Sequence, residues 1–267
     1  MIRVALTLIL TAIVTACTTT SMPQATPRVP DAVIADLAPR GKLRAAINFG
    51  NPILATREAA TGAARGVSVD LSRQLAKDLG VPVELVLYPA AGKVVEGLRS
   101  DAWDVAFVAI DPARAVDMDF TAPYIVIEGA YLVPQDSPIT SNAEVDREGV
   151  RVAVGAGSAY DLYLLRELRK AQIVRASTSP AVVDMMVEQK FEVAAGVRQQ
   201  LEAHAKRIPG LRLLDGHFMV INQAMATPKG RASGLRYLAG FIEEMKTSGF
   251  VAAALAKHNI EGATIAP

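Results

Sequence analysis

From Gly41 onward, short β-branched and aliphatic runs alternate with hydrophobic repeats at helical spacing, which restricts the chain to packed α/β layers. Leu43 to Phe49 is an apolar run ending in the turn Gly50-Asn51-Pro52. Leu71, Leu75 and Leu79 recur every four residues, and Gly80 with Pro82 stops that helix. Val83 to Leu87 predicts the next strand, Val94 to Leu98 a short helix, and Val105 to Ile110 a buried strand. The cycle restarts with a strand at Val150 to Val154, which runs into Gly155-Ala156-Gly157-Ser158 and then a helix with Leu162, Leu165 and Leu168 on one face. Ser179-Pro180 reads as a helix start, with Ser at the cap and Pro in the first turn, and the helix carries Val183, Met186 and Val187 inward. Val193 to Val197 predicts a further strand and Gln199 to Lys206 a further helix. The tail, from about Ser233 to His258, predicts two amphipathic helices with Gly249 between them.

With 267 residues, 51% of them hydrophobic, the chain can build one large packed domain or two modest ones. A formal net charge of +1 gives no basis for nucleic-acid binding. One Cys and three scattered His form no zinc-like cluster, so neither a metal nor a cofactor is expected. Arg3 followed by the apolar stretch Val4 to Val14 reads as a signal peptide over residues 1–16, because a membrane span needs about 20 apolar residues. Val14-Thr15-Ala16-Cys17 resembles the bacterial lipobox, which implies lipidation of Cys17 and a membrane anchor; the alternative is an ordinary signal peptide followed by an accidental cysteine. A thiol-free remainder suits an oxidising compartment. Thr18 to about Pro30 is rich in Thr, Ser, Pro and Gln and cannot bury enough surface to offset its ordering entropy, so residues 17–38 are expected as a flexible tether.

The informative stretch contains Ile110-Asp111-Pro112-Ala113-Arg114 and then Asp119-Phe120-Thr121-Ala122-Pro123-Tyr124. Upstream lie Gly66-Val67-Ser68-Val69-Asp70-Leu71 and Trp103-Asp104-Val105; downstream lie Val154-Gly155-Ala156-Gly157-Ser158 and Ala226-Thr227-Pro228-Lys229-Gly230. In order and spacing these resemble the family 3 solute-binding proteins, the polar-amino-acid receptors of ABC importers. The resemblance implies a two-lobed periplasmic binding protein of type II, each lobe a mixed sheet flanked by helices. Residues 39–130 plus 225–267 would form lobe one and 131–224 lobe two, with hinge crossings at Ala130 to Pro134 and Met219 to Met225. It also implies a monomer, periplasmic or on the cell surface, that closes around a ligand and works with an ABC permease.

By the same resemblance Arg114 holds the ligand's carboxylate, a role that suits the planar fork of a guanidinium. Its alternative is a surface arginine paired with Asp111 or Asp117. Gly157 and Ser158 open a helix whose free N–H groups would attract the same anion; the alternative is a plain N-cap. Several positions depart from the family pattern. The acidic residue that takes the ligand's ammonium is matched by Val197, followed by Arg198. The stacking aromatic before the first turn's proline is replaced by Gly50-Asn51 unless Phe49 serves. The small hydroxyl positions before the arginine are Phe107 and Ala109, and the threonine three residues before it is Asp111. Two compensations are open: Asp111 or Glu128 supplies the missing negative charge, or Arg198 reads a second anionic group on a ligand without an amine; the alternative is that both acids are structural salt-bridge partners and Arg198 is solvated. The function expected is therefore delivery of a small anionic or amino-acid-like ligand, such as a carboxylate, to an ABC importer. The alternatives are ligand sensing and, on the same fold, an enzyme like cyclohexadienyl dehydratase with Glu128 or Asp111 as proton donor. None of the three His residues is assigned to catalysis.

Overall fold

The computed structural model of the protein describes residues 29–267. The signal peptide, Cys17 and the first part of the tether lie outside the described residues.

The chain opens with α1 (Asp31–Leu37), β1 (Leu43–Asn48), the short hairpin strands β2 (Thr56–Arg57) and β3 (Ala64–Arg65), and α2 (Val67–Leu79). There follow β4 (Val83–Tyr88), α3 (Ala91–Arg99), β5 (Val105–Ala109) and the long strand β6 (Met118–Pro134). The middle of the chain supplies β7 (Arg151–Gly155), α4 (Ala159–Glu167), β8 (Gln172–Ala176), α5 (Val182–Gln189), β9 (Val193–Val197), α6 (Arg198–Arg207) and β10 (Leu211–Leu213). The return consists of β11 (Met219–Pro228), α7 (Ala232–Thr247), α8 (Phe250–Lys257) and β12 (Thr264–Ile265).

The strands lie in the order β4-β1-β5-β11-β6-β9-β7-β8, with β10 and β12 added to β6. One half holds the parallel set β4-β1-β5 and the other the parallel set β9-β7-β8. The two long antiparallel strands β6 and β11 join them. β6 pairs with β11 along 118–129 and with β9 along 129–132, so the change of partner falls at Gly129. The half that holds β4-β1-β5 is called one lobe and the half that holds β9-β7-β8 the other. Within the β6–β11 ladder the register shifts around Ala224, opposite Pro123. Proline has no N–H to donate, so a bulge is tolerated there. Thr121 Oγ1 accepts the nearby Met225 N–H at 3.2 Å and keeps that buried group paired.

α2 forms because Val67, Leu71, Leu75 and Leu79 put one apolar stripe on the sheet, and Gly80 ends it in the left-handed conformation with φ of 69°. Trp103-Asp104 is structural. Trp103 is fully buried and donates Nε1–H to the Val94 carbonyl at 2.8 Å. Asp104, also fully buried, receives Arg44 at 2.9 and 2.7 Å and Arg231 at 2.9 Å, tying β1 to the start of α7.

Three expectations change. Residues 31–37, expected as tether, form a helix packed on α7 through the buried Val33 and Leu37. On α4 the buried face carries Tyr160 and Leu164, four residues apart, while Leu165 is 59% exposed, so the helix is turned away from the Leu162/Leu165/Leu168 face. On α5, Val182 rather than Val187 faces inward, because Pro180 sits in a preceding 3₁₀ turn and α5 starts later.

Candidate functional site

β5 is buried along its whole length and ends at Ala109, where the chain turns sharply. The Asp111 carboxylate accepts the Ala113 N–H at 2.8 Å, a local turn typical of Asp. That turn folds Arg114 back beneath the strand end. Its Nη1 donates to the Ala109 carbonyl at 2.8 Å, and its Nη2 reaches the other lobe to donate to the Gly157 carbonyl at 2.9 Å. Arg114 is 2% exposed and its Nε has no hydrogen-bond partner. Burial lowers its pKa to about 10, partly opposed by the nearby Asp111 charge, so it stays cationic at neutral pH.

The opposing wall is the turn from β7 into α4. Gly157 has φ of +67°, a conformation that favours glycine, and its would-be Cβ lies only 2.7 Å from the Gly92 Cα of the other lobe. Ser158 caps α4, its Oγ accepting the Asp161 N–H at 3.0 Å. Asp161 in turn accepts the Gly157 N–H at 2.8 Å and is gripped by Arg175 Nε at 3.0 Å. The Gly157 amide, expected to meet a ligand anion, is therefore satisfied internally. Ala159 and Tyr160 occupy the first helical turn, where amides lack helical acceptors, and both line the space beside Arg114.

That space is a cavity of about 30 Å³ between the lobes, with polar groups from Asn48, Asn51, Arg114, Ser158, Tyr160, Ser179 and Gln223. Among the described residues, no acidic side chain lines it. It is far smaller than the roughly 300 Å³ of a typical small-molecule site, so the lobes must part to admit a solute. Their present contact also includes Gln200 Nε2 donating to the Gly50 carbonyl at 3.3 Å. Larger grooves of about 320 and 510 Å³ run along the outer face of α2, but neither is lined from both lobes.

Arg114, Ser158, Ala109 and Asn51 thus meet at one cavity, with Gly157 just behind its wall. Other expected residues are engaged elsewhere. Asp111 is 4% exposed and pairs across the cleft with Arg166 at 2.8 Å. Glu128 and Arg198, expected as alternative ligand partners, hold each other at 2.7 Å, and His217 adds to Glu128 at 3.1 Å. Phe107 points into the core, edge-on to Tyr124 at 6.2 Å between ring centroids. Phe49 is capped by the Arg57 guanidinium 4.5 Å from its ring.

The sequence reading missed Asn48, Tyr160, Ser179 and Gln223. Asn48 had a usable signal, a polar residue closing an apolar strand before a turn. Tyr160 was hidden by the misjudged face of α4, and Ser179 read as a helix start. Gln223 lies far along the chain from Arg114, and only the antiparallel pairing of β11 with β5 brings it to Ala109.

The model of the bacterial extracellular solute-binding proteins, family 3, matches residues 31–260. The L-cystine-binding protein TcyJ of Escherichia coli is 26% identical over 191 residues, covering 70% of this chain and 71% of that protein. The crystal structure of a solute receptor for L-cysteine from Neisseria gonorrhoeae superposes with a TM-score of 0.74 at 27% identity, covering 86% of this chain and 94% of the other. A Wolinella succinogenes protein, described as a binding component of an ABC transporter and complexed with lysine, gives a TM-score of 0.70 at 22% identity, covering 82% and 95%. It shares the fold.

Proposed function

The chain belongs to the bacterial extracellular solute-binding proteins, family 3, and from that premise we propose that it captures a small carboxylate-bearing solute between its lobes and passes it to an ABC importer. The observation that carries this reading is Arg114: a buried guanidinium that lines the inter-lobe cavity, touches both walls and retains an unpaired Nε–H. Such a group is stabilised by a carboxylate in the cavity, because a buried cation without a counter-charge is costly. Ala159 and Tyr160 at the start of α4 add the positive end of a helix facing the same space. The relatives, an L-cystine-binding protein and a solute receptor for L-cysteine, are named for small solutes that carry a carboxylate.

Binding is favoured over catalysis. Members of the family are binding proteins, and both carboxylates proposed for proton donation, Asp111 and Glu128, are engaged by arginine. Cys17 would anchor the protein through lipid on the outer side of a membrane, with the residues before Asp31 as its tether. Metabolic labelling with a fatty acid tests this: label that persists in Cys17→Ser rules the anchor site out. Calorimetric titration of the protein with a panel of small carboxylates tests the solute site. Arg114→Ala is expected to weaken any binding at least hundredfold, and unchanged affinity would remove Arg114 from the site.

A further inference from the structure

We propose that the solute carries one negative charge and no ammonium group: a small monocarboxylate with uncharged polar substituents, such as a 2-hydroxy or 2-oxo acid, rather than an α-amino acid. The proposal rests on the reading of Arg114 as the group that holds the carboxylate.

The argument is one of charge. The buried carboxylates of Asp111 and Asp161 are each paired with a partly exposed guanidinium, that of Arg166 and of Arg175, whereas Arg114 is buried and forms no ion pair among the described residues. Each carboxylate has its own arginine. Arg166 meets Asp111 at 2.8 Å, and Arg175 meets Asp161 at 3.0 Å, while Asp161 spends its second interaction on the Gly157 amide. Arg114 makes hydrogen bonds only to neutral carbonyls. Arg114 is thus the buried guanidinium left without an ion-pair partner, and it is the one that lines the cavity. A monocarboxylate gives Arg114 the ion-pair partner it lacks. A zwitterionic amino acid supplies the same carboxylate but adds an ammonium among lining groups none of which is acidic.

The carboxylates that could have met an ammonium are committed elsewhere. Glu128 is occupied by Arg198 and His217, and neither it nor Arg198 lines the cavity, so Arg198 reads no second anionic group on the solute. What remains around the cavity is neutral. The amides of Asn48, Asn51 and Gln223 and the hydroxyls of Tyr160 and Ser179 can hydrogen-bond a hydroxyl, keto or amide group. The Tyr160 hydroxyl is buried beside Ser158 and Ser179 without a well-formed hydrogen bond, and burial raises its pKa, so it is a neutral donor available to such a group.

The experiment is a matched titration of the full chain in mild detergent, followed by calorimetry. Each solute is offered in three forms that differ at one carbon: L-lactate, pyruvate and L-alanine, and likewise for chains of up to six carbons and for 3-mercaptopropionate against L-cysteine. The expected result is that a hydroxy or oxo acid binds at least hundredfold tighter than its amino counterpart, with binding lost in Arg114→Ala. A near-isosteric Gln223→Glu, which adds the absent negative charge, is expected to weaken the acid at least tenfold and narrow its advantage over the amino acid. An amino acid that binds as tightly as its deaminated partner, and still depends on Arg114, overturns the monocarboxylate proposal and leaves the receptor reading intact. Binding that ignores Arg114, or no binding by either class, overturns both.

Discussion

Replacing Gly157 with alanine separates the energy of the turn from the energy of lobe closure. The residue has φ of +67°, so an alanine there carries a left-handed penalty of about 1 kcal/mol whether the lobes are apart or together. The added Cβ would also lie 2.7 Å from the Gly92 Cα. Carbon atoms in ordinary contact stay about 3.5–4.0 Å apart, so the lobes must separate by roughly 1 Å. Only the closed arrangement bears this second strain, and overpacking of this kind costs about 1–3 kcal/mol. Since a solute held by both walls needs closure, its affinity is expected to fall about 5- to 150-fold, at about 1.4 kcal/mol per factor of ten. Urea unfolding without solute should register only the loss of about 1 kcal/mol. Calorimetry with the tightest-binding carboxylate supplies the affinity, and small-angle scattering reports whether the lobes stand apart. Gly92→Ala is the matched control. Its Cβ meets the Ala156 carbonyl at 3.1 Å but needs no left-handed backbone. It should reduce affinity less, and leave stability unchanged or slightly improved through helix propensity. A Gly157→Ala variant that loses stability yet binds as tightly as the parent would refute the closure argument.

Two further outcomes test the frame around the site. Asp104→Ala removes the buried partner of Arg44, which is 4% exposed, and of Arg231, leaving both with the exposed Asp101, and should cost about 3 kcal/mol in urea unfolding, the low end for a broken buried pair; a loss under about 1 kcal/mol would mean the cluster is not coupled to folding. Glu144 has its pKa lowered to about 2, first by the Thr140 backbone N–H and then by the Thr140 hydroxyl and Arg147. A depressed carboxylate contributes its stability above its unfolded value near 4.5 and loses it as pH falls toward 2. Melting temperatures measured from pH 7 down to 2 should therefore decline less steeply below pH 4.5 in Glu144→Gln, and parallel curves would remove Glu144 from the acid limb.

Much of the site's frame was readable from local pattern. The strands at 43–48, 83–88, 105–109 and 193–197 announced themselves as apolar runs, and α2, α7 and α8 as stripes bounded by glycine. Arg114 stood out through the resemblance to the family pattern, and Ser158 through its place at a helix start. The face of α4 was misjudged because several of its leucines compete for the same role, and sequence alone does not say that Tyr160 is the residue the core takes.

Local chemistry, carried by the order of residues, determined that this chain would form alternating strands and helices, where most of them start and stop, and which guanidinium would stand at the end of a buried strand. Tertiary structure alone decided which charges remained free. Asp111 meets Arg166 from 55 positions away, Glu128 meets Arg198 from 70, and Gln223 reaches the cavity through a strand pairing. An ion pair depends on distance in space, and chain folding brings together partners that no spacing rule connects. By residue type alone Asp111, Glu128 and Arg198 are all candidates to meet a solute; their pairing leaves Arg114 as the buried guanidinium without an ion-pair partner.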